Sequence, residues 1–101
     1  MEVLGILRLT DTYKSANAWT EESYGIRSEH SGYWDEQFAA GILLHGGRIL
    51  LDLDDPRMHA VMLLNVESIE QADRLLQNDP CIVNGIMRGE VLQYKVIWQK
   101  Q

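Results

Sequence analysis

The sequence has little cysteine, little positive charge and no long hydrophobic run. Its 101 residues include one cysteine, so neither an internal disulfide nor a cysteine-rich zinc site is available. The chain contains nine Lys and Arg residues and fifteen Asp and Glu residues. The resulting net charge of −6 argues against nucleic-acid partners and against docking on anionic membranes. No apolar run approaches the roughly 18 residues of a membrane span, and the first residues lack the basic start of a signal peptide. We therefore expect a cytoplasmic protein.

The rest of the composition is ordinary for a small globular protein. The apolar fraction is 46% and the charged fraction is 24%, which suits one modest hydrophobic core. The length predicts a single domain over residues 1–101. Both prolines, Pro56 and Pro80, follow an aspartate, and the residue before a proline is pushed out of the helical region. Both sites are therefore predicted to separate secondary-structure elements.

Hydrophobic periodicity predicts six elements, which are strands over 1–10, 42–52, 59–66 and 86–98 and helices over 28–40 and 68–78. Ser28 is the predicted N-cap of the first helix. Ser68, followed three residues later by Gln71, predicts a capping box at the start of the second. The polar segment 11–27 is long for a connection, and such segments are often functional flaps or contain a short helix.

The predicted β-α-β-β-α-β order is typical of the ferredoxin-like α+β arrangement, a four-stranded antiparallel sheet with both helices on one face. The short spacing between the second and third strands predicts an antiparallel hairpin. The opposite sheet face then carries apolar residues that nothing else in the chain covers. We therefore expect a homodimer that packs sheet against sheet.

Motifs that identify a cofactor or a metal are missing from the sequence. There is no GxGxxG, P-loop or GxSxG pattern, and the three histidines, His30, His45 and His59, lack metal-ligand spacing. We therefore expect no cofactor and no metal. The remaining partner class is a small-molecule ligand.

The residue pair that could carry chemistry is His30 with Asp79. His30 is predicted in the first turn of the first helix, and Asp79 lies just past the end of the second. If the two side chains meet, the carboxylate would fix the tautomer of the imidazole and leave one ring nitrogen as a general base. Arg27, one turn earlier, would then bind an anionic group. Spacing alone favours the structural alternative, in which Asp79 only forms an Asp-Pro turn and His30 only starts a helix.

Two segments of the chain resemble the YCII-related (YciI-like) family. The first runs from Arg27-Ser-Glu-His30 through an apolar helix to Gly41-Ile-Leu-Leu. The second is a helix followed by Asp79-Pro and, a few residues later, a glycine. They occur in the family's order and spacing, and the resemblance extends to about Val96. It implies a dimeric α/β barrel built from ferredoxin-like units.

The resemblance also implies a function. It implies an active-site pocket in which His30 and Asp79 form the catalytic pair, with Arg27 at the family's arginine. One branch of the family resembles dehydrochlorinases that act on chlorinated hydroxyquinols, which suits acid–base elimination without a cofactor. Within this hypothesis we expect Tyr24 and His45, together with Arg27, to bind and orient the substrate.

Two alternatives to this acid–base enzyme stay open. A non-catalytic ligand-binding or protein-interaction module on the same barrel predicts an apolar pocket lined by Trp19, Trp34 and methionines, with His30 facing solvent. A cofactor-free monooxygenase would share the fold. The sequence departs from the family at Gly46-Gly47-Arg48, where the family often has Gly-Pro, and this argues against transferring a particular substrate.

Overall fold

Four strands form one antiparallel sheet in the order β2-β3-β1-β4. β1 lies between β3 and β4, so that Gly5 pairs with Met62 on one side and with Val91 on the other. The protein is described by a computed structural model that covers residues 1–100. The strands are β1 (Glu2–Leu9), β2 (Leu43–Arg48), β3 (Ala60–Asn65) and β4 (Met87–Gln93), and the helices are α1 (Glu21–Ala39), α2 (Ile69–Gln77) and α3 (Pro80–Val83). This topology confirms the predicted ferredoxin-like α+β fold.

The first helix begins earlier than the sequence predicted. Thr20 is its N-cap, because the Thr20 hydroxyl accepts a hydrogen bond from Ser23 N and the Ser23 hydroxyl accepts one from Thr20 N. The prediction of Ser28 as the N-cap is wrong, since Ser28 lies inside α1 and its hydroxyl donates to Tyr24 O. His30 therefore lies in the middle of α1 rather than in its first turn.

The predicted connection over 11–27 is mostly helical. Two short 3₁₀ turns, Asp11–Lys14 and Ala16–Ala18, precede α1. The first two turns of α1 complete the segment. The sequence does not predict these helical turns, because they contain few apolar residues. Hydrophobic periodicity is the signal that reveals a helix in a sequence.

The second helix begins where the sequence predicted. The Ser68 hydroxyl caps α2 by accepting a hydrogen bond from Gln71 N at 3.0 Å. The Gln71 side chain accepts a hydrogen bond from Glu67 N rather than from Ser68 N. The second hydrogen bond of the predicted capping box therefore forms one residue earlier. After α2 ends, Asp79 begins the four-residue helix α3, with Pro80 in its first turn.

Strands β2 and β4 are shorter than predicted. β4 ends at Gln93 because Gln93 pairs with Val3, next to the start of β1 at Glu2, and further residues have no neighbouring strand. The predicted strand residues after Gln93 adopt no regular structure, and Trp98 is 89% exposed.

The core lies between the sheet and the helices. Every second residue of β1 faces this side, and Val3 and Leu7 pack with Leu64 of β3, Trp34 of α1 and Leu76 of α2. The opposite face of the sheet carries no helix among the described residues. None of the helices in residues 1–100 combines the length and the apolar character needed to cross a membrane.

Candidate functional site

The centre of the site is the carboxylate of Asp79, which is fully buried. Asp79 follows α2 and is the N-cap of α3, where its Oδ1 accepts a hydrogen bond from Cys81 N at 2.8 Å. An aspartate is well suited to this position because its oxygen satisfies a backbone N–H that the helix leaves without a partner. The Asp-Pro sequence thus starts a helix as well as ending one.

The structure brings His30 and Asp79 into direct contact. His30 Nδ1 lies 2.8 Å from Oδ1 and 2.7 Å from Oδ2 of Asp79. The His30 side chain is 14% exposed, so α1 presents it to the carboxylate while one edge of the ring stays accessible. An ionised carboxylate only accepts hydrogen bonds, so Nδ1 is the nitrogen that carries the proton. Nε2 is then the nitrogen that can accept a proton from a ligand.

Trp34 is a third member of this cluster that the sequence did not predict. It lies four residues after His30, on the same face of α1, and its Nε1–H donates to Asp79 Oδ2 at 2.8 Å. Trp34 is only 4% exposed and belongs to the core, so it does not line a ligand cavity. The Asp79 carboxylate therefore accepts hydrogen bonds from α1 at both oxygens and from α3 at Oδ1.

Tyr33 lies next to this cluster. Its hydroxyl donates to Leu75 O at 2.6 Å, which ties α1 to the last turn of α2. Burial, together with the charge of Asp79, raises the pKa of Tyr33 above its usual value. Tyr33 is therefore a protonated structural donor at neutral pH.

His30 also lines a cavity of ≈ 260 Å³ between α1 and the sheet. This volume is close to the lower end of the roughly 300–1,000 Å³ that small-molecule sites occupy. Most of the lining residues are apolar, and the polar ones come from α1 and from the end of β2. The lining residues are Leu7, Leu9, Trp19, Arg27, His30, Ser31, Arg48, Leu53, Met58, Ala60 and Met87.

Arg27 lines the cavity one turn before His30 on α1, as the sequence suggested. Its guanidinium carbon lies 5.9 Å from the ring centres of both Trp19 and Tyr24, which is within cation–π range. Trp19 is itself held by its Nε1–H, which donates to Tyr13 O at 2.9 Å. Tyr24 does not line the cavity, and it contacts Arg27 from outside.

The structure does not bring His45 to the cavity. His45 pairs with Leu63 of β3, whereas a Cβ on the next residue, Gly46, would lie 3.0 Å from the sulfur of Met62 on the core side. Side chains alternate along a strand, so His45 lies on the sheet face that carries no helix. Arg48 lies two residues after Gly46 and therefore on the same, core-facing side of the strand. It lines the cavity instead of His45.

One group of residues has the side-chain types that bind metals. Ligand atoms of His30, Asp79 and Cys81 lie within 4.8 Å of one another, although the sequence spacing predicted no metal site. Burial raises the pKa of the Cys81 thiol to about 12, with a further contribution from the charge of Asp79, so the sulfur is a thiol rather than the thiolate that binds metals. His30 Nδ1 and both oxygens of Asp79 are already engaged in hydrogen bonds. The group is thus better suited to a hydrogen-bonded pair than to a metal centre.

Comparison with known proteins identifies the fold. No family model and no curated protein matches the chain, while eight chains of solved structures do. One of these is 5-chloro-2-hydroxyhydroquinone dehydrochlorinase (TftG) from Burkholderia phenoliruptrix AC1100, in complex with 2,5-dihydroxybenzoquinone. The match covers 94% of both chains with a TM-score of 0.69 at 18% identity. The chain has the same fold as this dehydrochlorinase. Its resemblance to the YCII-related family rests on the two sequence segments alone.

Proposed function

We propose that the protein is a small enzyme that uses the His30–Asp79 pair for acid–base chemistry on a small cyclic substrate, without a cofactor. The observation that carries this proposal is the 2.7 Å contact between His30 Nδ1 and a fully buried carboxylate, at the wall of a ligand-sized cavity. A separation beyond about 8 Å, outside direct or water-bridged reach, would have excluded such a pair.

In this mechanism His30 transfers the proton and Asp79 positions His30. Nε2 accepts a proton from an acidic C–H or O–H of the substrate, and Asp79 stabilises the imidazolium that forms. In an elimination, the electron pair of the broken C–H bond becomes a double bond and the leaving group departs with its own pair. His30 then returns its proton to product or solvent, and the site is ready for another turnover.

The dehydrochlorinase with the same fold suggests the kind of substrate. Its ligand, 2,5-dihydroxybenzoquinone, is a single ring with oxygen substituents. The cavity of this chain combines apolar walls with a few polar side chains, a combination that suits such a ring. We propose a monocyclic, oxygen-substituted substrate and do not transfer the chlorine substituent.

The binding-module alternative differs from the described geometry in two respects. It expects His30 to face solvent, whereas His30 is mostly buried against Asp79. It expects Trp34 to line the pocket, whereas Trp34 is in the core. Trp19 and two methionines do line the cavity, so ligand binding without turnover is the alternative outcome of the experiment below.

The experiment measures exchange of the ring protons of 2,5-dihydroxybenzoquinone in D₂O by NMR, a reaction that needs protonation and deprotonation at carbon. The decisive variant is His30→Asn, because the amide nitrogen of asparagine can still donate to Asp79 while the Nε2 position is lost. We expect this variant to slow the exchange catalysed by the protein roughly 10²- to 10⁴-fold. His59→Asn, the same change at a histidine that does not line the cavity, is the control and should exchange at the rate of the original protein. If His30→Asn exchanged as fast as the control, the acid–base proposal would be wrong.

We further propose that a second copy of the chain covers the open face of the sheet. The support is a row of apolar side chains there, with Leu4 of β1 pairing with Leu63 of β3 and Leu92 of β4. Leu92 is 48% exposed. Light scattering should give twice the mass of the 11.6 kDa chain, and Leu92→Glu should shift the mass towards a monomer. A monomeric original protein would refute this assembly.

A further inference from the structure

The cavity beside His30 has a charge opposite to that of the whole protein. Two arginines line it, Arg27 from α1 and Arg48 from β2, and no acidic residue lines it among the described residues. Asp79 is behind His30 and fully buried, so it presents no oxygen to the cavity surface. In a chain of net charge −6, this is a local positive site.

Neither arginine is neutralised by a carboxylate. Within residues 1–100, four pairs lie within ion-pair distance, and neither Arg27 nor Arg48 belongs to any of them. These are Arg8–Glu90, Lys14–Asp11, His30–Asp79 and Arg57–Asp55. The chain has fifteen acidic residues available for pairing, yet both cavity arginines keep their guanidinium donors for another partner.

Both arginines are attached to ordered parts of the fold. Arg27 lies against the rings of Trp19 and Tyr24, which limit where its guanidinium can move. Arg48 is the last residue of β2, and its backbone pairs with Ala60 of β3, which also lines the cavity. A guanidinium that is positioned before the ligand arrives, as that of Arg27 is, loses less side-chain entropy on binding.

The remaining walls determine what else the ligand must have. They are largely apolar, with side chains contributed by Leu7, Leu9, Leu53, Met58 and Met87. A ligand that fills this space therefore combines an apolar body with a charged edge. An inorganic anion alone would leave the apolar walls uncovered.

We propose that Arg48 is a second anion-binding residue and that, with Arg27, it selects small cyclic substrates that are negatively charged at neutral pH, such as phenolates, enolates or ring carboxylates. This rests on the proposed function, since the same cavity places the ring beside His30. The arginines also serve the reaction, because negative charge that develops on a ring oxygen when His30 removes a proton is stabilised by a nearby guanidinium.

The test compares two rings of similar size by calorimetry. 2,5-Dihydroxybenzoquinone is ionised at neutral pH because its hydroxyls are vinylogous acids, and hydroquinone is neutral. We expect Arg48→Gln to weaken binding of the ionised ring roughly 10- to 100-fold and to leave binding of hydroquinone unchanged. Arg48→Lys, which keeps the charge but loses the planar fork, should recover part of the affinity. Arg74→Gln, which makes the same charge change on α2 outside the cavity, is the matched control.

The outcomes separate this inference from the proposed function. Equal weakening by Arg48→Gln and Arg74→Gln would overturn the role of Arg48, even if the exchange reaction depended on His30. Loss of both rings together would also overturn it, because the effect would then be structural. Selective loss of the ionised ring would support it, even in a protein that shows no exchange, since calorimetry needs no turnover.

Discussion

The substitution Asp79→Asn should destabilise the protein strongly although it preserves the shape of the side chain. Asp79 Oδ1 accepts hydrogen bonds from Cys81 N and His30 Nδ1, and Oδ2 accepts them from Trp34 Nε1 and His30 Nδ1. Asparagine has one acceptor oxygen and one NH₂ donor. Whichever way the amide is turned, its NH₂ group faces either the Cys81 N–H or the Trp34 N–H, so two donors oppose each other in a buried place.

The size of the effect follows from these contacts. Leaving a buried donor without a partner costs about 1–3 kcal/mol, and losing a hydrogen bond to a charged group costs about 1.5–3 kcal/mol. The two contributions together give an expected loss of about 3–5 kcal/mol in the free energy of unfolding, near the middle of their combined range. For a domain of this size that corresponds to a fall in melting temperature of about 12 °C or more.

Urea denaturation followed by circular dichroism measures this loss, and a double-mutant cycle tests its cause. Trp34→Phe removes one of the two opposing donors, so Asp79→Asn combined with Trp34→Phe should cost about 1 kcal/mol less than the two single losses added together. Strict additivity, or a loss below about 0.5 kcal/mol for Asp79→Asn, would refute the reasoning. If Asp79→Asn does not fold, Trp34→Phe alone should still lose about 1.5–3 kcal/mol.

Three further predictions concern stability and reactivity. Thr20→Ala should cost about 1 kcal/mol in urea denaturation because it removes the N-cap of α1, and an effect as large in Ser28→Ala would contradict the observed helix start. Gly89→Ala should cost about 1–3 kcal/mol, because its Cβ would lie 2.9 Å from side-chain carbons of the core, whereas Gly32→Ala, with nothing within 4 Å, should stabilise α1 by up to about 1 kcal/mol. Burial raises the pKa of the Cys81 thiol from its ordinary 9.0 to about 12, so the unfolded chain releases this proton first and stability should fall by about 1.4 kcal/mol per pH unit between pH 9 and pH 12. Cys81→Ala should lack this part of the pH dependence, and identical curves for the two proteins would contradict the burial of the thiol.

The fold could be predicted from the sequence because its elements carry strong local signals. The apolar stripe of α2 behind the Ser68 cap, and the two Asp-Pro sites, gave the correct element order. The start of α1 could not be found in this way, because its first turns bury only Ser23 and pack against the core through little more than Ile26, which is too few apolar residues to show a period. Its signal was Thr20 with Ser23, a capping box that uses serine in place of the usual Glu or Gln.

The candidate site was only partly predictable. His30 and Asp79 are 49 residues apart, and no spacing rule brings them together. The predicted element order made their contact possible, and the family resemblance favoured it. Trp34 had a usable signal, since a residue four after His30 shares its helix face. No sequence signal indicated Arg48, because a bulge between Leu43 and His45 changes which residues of β2 face the core.

Asp79 has a structural role besides its proposed role in positioning His30, and this affects how function is inferred for related proteins. Because its carboxylate starts a helix and satisfies a core tryptophan, selection for a stable fold alone would retain it. Its presence in a relative is therefore uninformative about chemistry. His30 donates to the same carboxylate, but it starts no helix and its ring lines the cavity. Under the proposed function, a relative that keeps the aspartate and lacks the histidine is therefore expected to bind a ring without catalysing proton transfer.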